Sequence, residues 1–310
     1  MHKFSEAKIV SVIIPAYNCA PYLAETVESV QGQNYPNIEI IIVNDGSTDT
    51  TLEVAQHLAQ SDARIKVLSH TNSKQGKTRN AGVAAASGHY IAFLDGDDIW
   101  FPNKLELQIA TLEERCVDLV FSDGFICLNN NLNLREHTFQ ILQKIFDRND
   151  LELFHRQNQI PTSTVVCTKA AFDKAGGFDE EPEVQNCEDY LLWVRMLDKG
   201  CRFYGLDENL ILYRVHATSS TATRINQLRP LSFALMRLNG PMSNARMQRI
   251  RKTLRDLLTE LQTQNEDVLK AAQPLREYCK LFKGNWALLM LNISTKLPRR
   301  IFLAIAWRLI

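Results

Sequence analysis

The chain predicts an α/β fold of the doubly wound, mainly parallel kind, followed by a helical extension. Two observations carry the prediction. Over roughly the first 120 residues, apolar β-branched runs alternate with segments of helical spacing. Two of those runs close on an acid, Asp45 and Asp95, on the edge where such sheets bind ligands.

The elements follow in order. KIVSVIIP (8–15) is rich in β-branched side chains and stops at Pro15, as a buried strand does. PYLAETVESVQGQ (21–33) has helical spacing, with Pro21 in the first turn, where its missing N–H leaves no gap. IEIIIVNDG (38–46) is a second strand. STDTTLEVAQHLAQ (47–60) starts with capping residues, Asp49 among them, and continues as a helix. RIKVLSH (64–70) is a third strand, and KTRNAGVAAAS (77–87) a small-residue helix ended by Gly88. YIAFLD (90–95) is a fourth strand, PNKLELQIATLEERC (102–116) a fourth helix and DLVFSD (118–123) a fifth strand. Later, NCEDYLLWVRMLDKG (186–200) reads as a helix closed by Gly200, and NLILY (209–213) as a strand.

At 310 residues and 45% hydrophobic, the chain suits one large domain, or one domain with an extension. The balanced total charge hides an asymmetry. Residues 226–310 hold 15 Lys and Arg against 5 Asp and Glu, whereas residues 1–225 hold 20 against 30. A basic extension on an acidic body suits an anionic surface, or a solvated helix bundle. The seven cysteines are scattered, with no C-x-x-C pair, which argues against a zinc site or a disulfide framework and for a reducing compartment. MHKFSEAKIV lacks a signal-peptide core, and no apolar run approaches about 18 residues. The expectation is a cytoplasmic protein, lying at the inner membrane face if the extension binds lipid.

YIAFLDGDDIW (90–100) crowds Asp95, Asp97 and Asp98 at one strand end. Carboxylates this close repel, so something bound at this ligand edge should offset the repulsion. An acidic turn capping the next helix is the simpler rival, but one cap needs only one acid. A dinucleotide site needs G-x-G-x-x-G after the first strand, where PAYNCAPYL has no glycine. TNSKQGKT (71–78) approaches a P-loop, yet Thr71 stands where the first glycine belongs.

SVIIPAYN, VNDGSTD, GKTRNAG, LDGDD and NCEDYLLW occur in this order and at these intervals, and together they resemble a family 2 glycosyltransferase. The resemblance covers about residues 8–220. It implies the nucleotide-diphospho-sugar (GT-A) fold in residues 1–225, and inverting transfer from a nucleotide sugar, a UDP-sugar by expectation, to an acceptor hydroxyl. Surface polysaccharide, a lipid-linked sugar or a glycan would supply that acceptor. It further implies Asp97 as the main ligand of Mn²⁺ or Mg²⁺, with Asp95 beside it, and Gly96 letting the turn approach the donor. Asp98 would lie near the sugar or cap the following turn. Asp45 would accept from the base, Pro15, Ala16 and Tyr17 would lie along it, and Arg79 would fork onto the diphosphate, more firmly than Lys77. Asp189 would be the catalytic base, with Glu188 beside it and Gly177 on the acceptor side. Arg214 and His216, in YRVHATSST, would steady the leaving group.

Rival readings stand beside several of these. Asp189 with Asn186 resembles a capping pair, and a helix start would hold its pKa down. Tyr17 could be ordinary packing, Arg79 a surface ion pair, Arg214 and His216 a polar loop, and Gly176–Gly177 a turn. A polyprenyl-phosphate acceptor, already anionic, would not need Asp189. A nucleotide-sugar-binding protein without turnover would keep the donor residues alone. No nucleic-acid partner is expected. The resemblance is lost from Asn226 onward, where WALLMLNISTKLPRRIFLAIAWRLI mixes short apolar runs with basic residues. Such helices can lie in a membrane interface, pack on the catalytic domain, or form a dimer contact.

Overall fold

The computed structural model describes residues 8–128, 131–132, 137–216, 223–264, 267–296 and 298–310. The first half follows the expected order: β1 (Val10–Ala16), α1 (Ala20–Gln31), β2 (Ile38–Asp45), α2 (Thr51–Ser61), β3 (Ile65–His70), α3 (Gln75–Ala84) and β4 (Tyr90–Phe93). A short β5 (Ile99–Trp100) precedes α4 (Lys104–Arg115) and β6 (Leu119–Leu128). Then come β7 (His137–Thr138), β8 (Ile145–Phe146), α5 (Leu151–Arg156), β9 (Val166–Thr168), α6 (Lys169–Ala175), α7 (Glu188–Asp198) and β10 (Phe203–Val215). Five helices follow: α8 (Arg224–Arg237), α9 (Asn244–Thr263), α10 (Ala272–Phe282), α11 (Gly284–Ser294) and α12 (Arg299–Leu309).

The main sheet runs β3-β2-β1-β4-β9-β6-β10-β5. Strands β1 to β4 are mutually parallel. β9 is antiparallel to both of its neighbours, β4 and β6, so β6 points the same way as β4. β10 runs parallel to β6. The carboxyl ends of β1, β2 and β4 therefore share one edge, where Ala16, Asp45 and the 95–98 turn lie. A strand of three residues such as β9 is too short to show a periodicity, and only the sheet reveals it.

Helix α3 presses closely on the sheet because its residues are small. A Cβ on Gly82 would stand 2.5 Å from Ile13 Cγ2. The helix ends at Ala84, short of Gly88. Gly88 instead ties the loop to β1. Its N–H donates to Ser11 Oγ at 2.8 Å, and a Cβ there would collide with that oxygen.

One apolar cluster runs from Ile13 and Phe93 through Trp193 into Leu254, Leu257, Tyr278 and Phe302. The extension thus shares a core with the sheet. Three of its fifteen basic residues serve that packing. Buried Arg246 donates to the carbonyls of Leu235, Gly240 and Met236. Arg249 Nη1 donates to Tyr190 Oη at 2.6 Å and to the His155 carbonyl at 3.1 Å. Arg299 Nη2 donates to the carbonyls of Leu261 and Gln262. The charge surplus read from the sequence therefore overstates the free basic surface.

Candidate active site

Two cavities meet over the carboxyl edge of the sheet. The larger, about 1020 Å³, is lined by Pro15, Ala16, Tyr17, Asp45, Asp95, Gly96, Asp97, Arg214 and His216. The smaller, about 470 Å³, holds Arg79, Glu188 and Asp189. Gln75, Asp95, Asn186 and Tyr213 line both. Most of the residues singled out in the sequence thus converge, and they sort into two groups.

In the larger cleft, Tyr17 is 51% exposed at the end of β1, with its ring open to the cavity's contents. Asp45 is buried at the end of β2 and accepts the N–H groups of Ser73 (2.6 Å) and Lys74 (3.0 Å). Those bonds fix the β3–α3 loop against the cleft and leave the carboxylate with further lone pairs. His216 Nε2 lies 2.9 Å from Asp97 Oδ2, and the ring stacks on Tyr22 with centroids 4.9 Å apart. Arg214 bonds Glu25 and sits 5.2 Å over the Tyr22 ring. The rest of the YRVHATSST stretch, residues 217–222, lies outside the described residues.

Asp98 lines neither cavity, which corrects the expectation of a sugar-side or capping acid. It is fully buried, accepting from Ser163 Oγ (2.5 Å) and from the Arg214 N–H (2.9 Å). Burial, with the charges of Asp97 and Asp95, pushes its carboxyl well above the usual range. It pins the acidic turn to β10. Gly96 also has a different reason. A Cβ there would meet Cys19 Sγ at 2.9 Å and the Pro15 carbonyl at 3.1 Å, so the turn's close neighbour is β1 itself.

Arg79 is nearly inaccessible at 3%, lies on the wall of the smaller cavity and reaches Asp95, which lines both. Nη2 donates to Asp95 and Nη1 to Glu188, each at 2.6 Å. The expected phosphate fork is therefore occupied by two carboxylates. Burial disfavours the charge on Arg79, but Asp95 and Glu188 outweigh it and hold the guanidinium protonated. Burial, opposed by Arg79 and reinforced by Asp189, pushes Glu188 up to about 7.

Asp189 starts α7 and opens into the smaller cavity. Its Oδ2 accepts from Thr162 Oγ1 at 2.8 Å, and its Oδ1 from the Tyr190 N–H at 2.6 Å. The anticipated capping pair with Asn186 does not form; Cys187 is the N-cap, without a side-chain cap bond. Nor does the helix start hold the pKa down. Burial raises it, and Arg79 and the Thr162 hydroxyl offset that only in part. Gly177 lines neither cavity. With Gly176 it closes α6 at positive φ, and its carbonyl accepts from Arg195 Nη2 at 2.5 Å. The P-loop likeness also dissolves. Gly76–Thr78 lies inside α3, and a Cβ on Gly76 would collide with the Asp179 carbonyl.

The sequence reading missed Thr162 and Ser163. One 3-10 turn, Thr162–Thr164, holds Asp189 through Thr162. Through Ser163 it holds Asp98 and the Asp95 N–H (3.1 Å). Its only sequence signal is PTSTV, a polar knot before an apolar strand.

The acids suit a divalent cation. Burial and the charge of Asp95 raise Asp97 above the usual aspartate range, a repulsion that a cation would relieve. Among the described residues no group of three or more His, Cys, Asp or Glu forms a self-sufficient metal site. A hard cation held by one or two carboxylates and completed by phosphate oxygens needs no such group.

Residues 11–173 match glycosyl transferase family 2. The chain is 33% identical over 224 residues to WfaP of Escherichia coli, a UDP-Glc:α-D-GlcNAc-diphosphoundecaprenol β-1,3-glucosyltransferase, covering 71% of this chain and 83% of WfaP. The chain belongs to glycosyl transferase family 2. Its fold is similar to S. aureus TarS 1–349 in complex with UDP-GlcNAc (TM-score 0.65, 18% identity, 97% of this chain and 90% of that one). It is also similar to the mannosyltransferase PcManGT of Pyrobaculum calidifontis with GDP-Man and Mn²⁺ (TM-score 0.58, 17% identity, 98% and 86%). Both likenesses span the C-terminal helices as well as the sheet.

Proposed function

We propose that this glycosyltransferase moves a sugar from a UDP-sugar to an acceptor hydroxyl with inversion, in the assembly of a lipid-linked or surface glycan. The observation that supports this best is the division of labour between the cavities. The larger carries Tyr17, Asp45 and Asp97, which suit a base, its imide N–H and a metal-bound diphosphate. The smaller carries Asp189, and Asp95 lies on their common wall. A sugar at that wall would present its anomeric carbon between the leaving group and the base.

In this reading Asp189 takes the acceptor's proton as the hydroxyl attacks. Its raised pKa makes it a stronger base than an exposed aspartate. Thr162 aims the carboxylate, and the Asp95–Arg79–Glu188 bridge fixes the distance between the two sites. His216 stands beside Asp97 and Arg214 lines the same cleft, where charge on the departing diphosphate would grow. Asp97 with Asp95 would hold Mn²⁺ or Mg²⁺, which would neutralise that charge when bound. The WfaP likeness supports UDP-glucose and a diphosphoundecaprenol-linked acceptor as first candidates. Screening UDP-sugars for acceptor-dependent UDP release tests the reading. Turnover with none of them, or full turnover in a chelator, breaks it.

A second observation favours peripheral attachment to a membrane, as a lipid-linked acceptor requires. On α10 and α11, Leu281 (48% exposed), Trp286 (77%), Leu289 (50%) and Met290 (41%) project beside Lys280 and Lys283. Exposed apolar groups next to cations suit an anionic lipid interface. No helix among the described residues is long and apolar enough to cross a membrane.

A further inference from the structure

The roof of the larger cleft comes from beyond the family match. Helix α8, the turn before α10 and the first turn of α10 bring Arg229, Lys270 and Gln273 to the cavity that Asp45, Asp95 and Asp97 line. The facing wall is acidic, yet no carboxylate pairs with Arg229 among the described residues. Arg229 Nη2 donates to the uncharged Gln273 Oε1 at 2.9 Å, and its Nε is buried without a hydrogen-bond partner. Gln273 Nε2 is held in turn by Glu183 at 3.2 Å, and the Phe233 ring lies 5.9 Å from the guanidinium carbon. Neutral groups thus make the contacts to this guanidinium, and the Glu183 carboxylate reaches it only through Gln273.

A half-buried cation is costly until an anion meets it. Arginine's fork matches phosphate oxygens in particular. Lys270 adds a second positive charge at the same roof. Across the cleft, Arg214 and His216 already bond Glu25 and Asp97. The cleft's 1020 Å³ is at the upper end of small-molecule pockets, so a phosphate can reach the roof while a nucleoside lies along β1.

We propose that Arg229 and Lys270 form a phosphate-binding roof over the larger cleft, making the C-terminal helices part of the substrate site. The proposal rests on reading this cleft as the nucleotide-sugar site. Two substrates could bring the phosphate: the donor's diphosphate, or a phosphate carried by the acceptor.

Titration calorimetry on the full chain, with Mg²⁺ in excess, tests it with three probes. These are uridine, UDP, and inorganic pyrophosphate added to UDP-saturated enzyme. The Arg229→Gln/Lys270→Gln chain is expected to bind uridine as the wild type does. It should lose about ten- to a hundredfold in affinity for one phosphate probe, the range set by charge-assisted hydrogen bonds. A loss confined to UDP assigns the roof to the donor. A loss confined to pyrophosphate on the loaded enzyme assigns it to the acceptor. Arg229→Lys, which keeps the charge without the fork, should fall between. If the double variant also loses uridine, Arg229→Lys and Lys270→Gln singly carry the same comparison. Wild-type affinity for both phosphate probes overturns the roof. A wild-type chain that binds no UDP overturns the underlying site reading instead.

Discussion

In the proposed mechanism, the donor side and the base side of this site are built on different principles. On the donor side, Asp45 and the 95–98 turn project from the ends of parallel strands, and their positions follow from the sheet's edge. On the base side, Asp189 opens a helix and takes its orientation from Thr162, 27 positions earlier in the chain. Tyr190, the next residue, is gripped by Arg249 of the extension, 59 positions later. Local sequence thus puts the donor acids at strand ends, where Ser163 and Arg214 then pin the 95–98 turn, whereas the base takes its orientation from contacts distant in sequence. The two sides are joined by one guanidinium, Arg79, and one turn, Thr162–Thr164.

The largest expected effects separate the two sides. Asp189→Asn keeps UDP affinity and loses transfer by about 10²–10⁴-fold, because an amide cannot accept the proton. Asp97→Ala loses metal-dependent UDP affinity together with turnover. Calorimetry alongside UDP-release rates checks both. Near wild-type transfer by Asp189→Asn would break the division, and would favour an acceptor that is already anionic.

A smaller effect sharpens the base side. The Thr162 hydroxyl helps to lower the Asp189 pKa against burial. With Asp189 as the proposed base, activity needs the carboxylate, so the rate should fall as pH drops through the raised pKa, above the usual aspartate range. Thr162→Val should move that acid limb to still higher pH with roughly a tenfold loss of rate, on the scale of one hydrogen bond to a charged group. Thr162→Ser should restore it. An unmoved limb would make Thr162 packing alone.

Glu188 tests the bridge through stability. Its pKa rises from 4.5 unfolded to about 7 folded, so the native state holds the proton more tightly. That contribution is full below about 4.5 and is lost as pH climbs through about 7. Urea midpoints taken at about pH 5 and about pH 8 should therefore differ more in the wild type than in Glu188→Gln. Equal differences would refute the assignment.

The smallest effect concerns the extension's surface. Trp286→Ser should weaken sedimentation with anionic vesicles by roughly tenfold while leaving turnover on a soluble acceptor unchanged. Interfacial burial of an apolar side chain is worth about 1.5–3 kcal/mol, and partial insertion gives less. No wild-type sedimentation at low salt would refute the lipid surface and leave packing as the extension's role.

The sequence by itself determined the strand-and-helix order of the first half, the acids at its strand ends and the family. Those signals are local: side-chain period, a capping residue, an acid just past an apolar run. The family resemblance also brought Asp189 forward as a candidate. Tertiary structure alone decided what each candidate touches. It turned Arg79 from a phosphate fork into a bridge between Asp95 and Glu188, sank Asp98 beneath the site, and gave Gly96 and Gly76 close backbone neighbours. It inserted β9 between β4 and β6, brought Thr162 to the base, and folded α8 and α10 over the cleft. The physical reason is that burial and pairing depend on neighbours distant in sequence. A carboxylate's charge, reach and pKa are set by those neighbours, while its position at a strand end is set by the residues beside it.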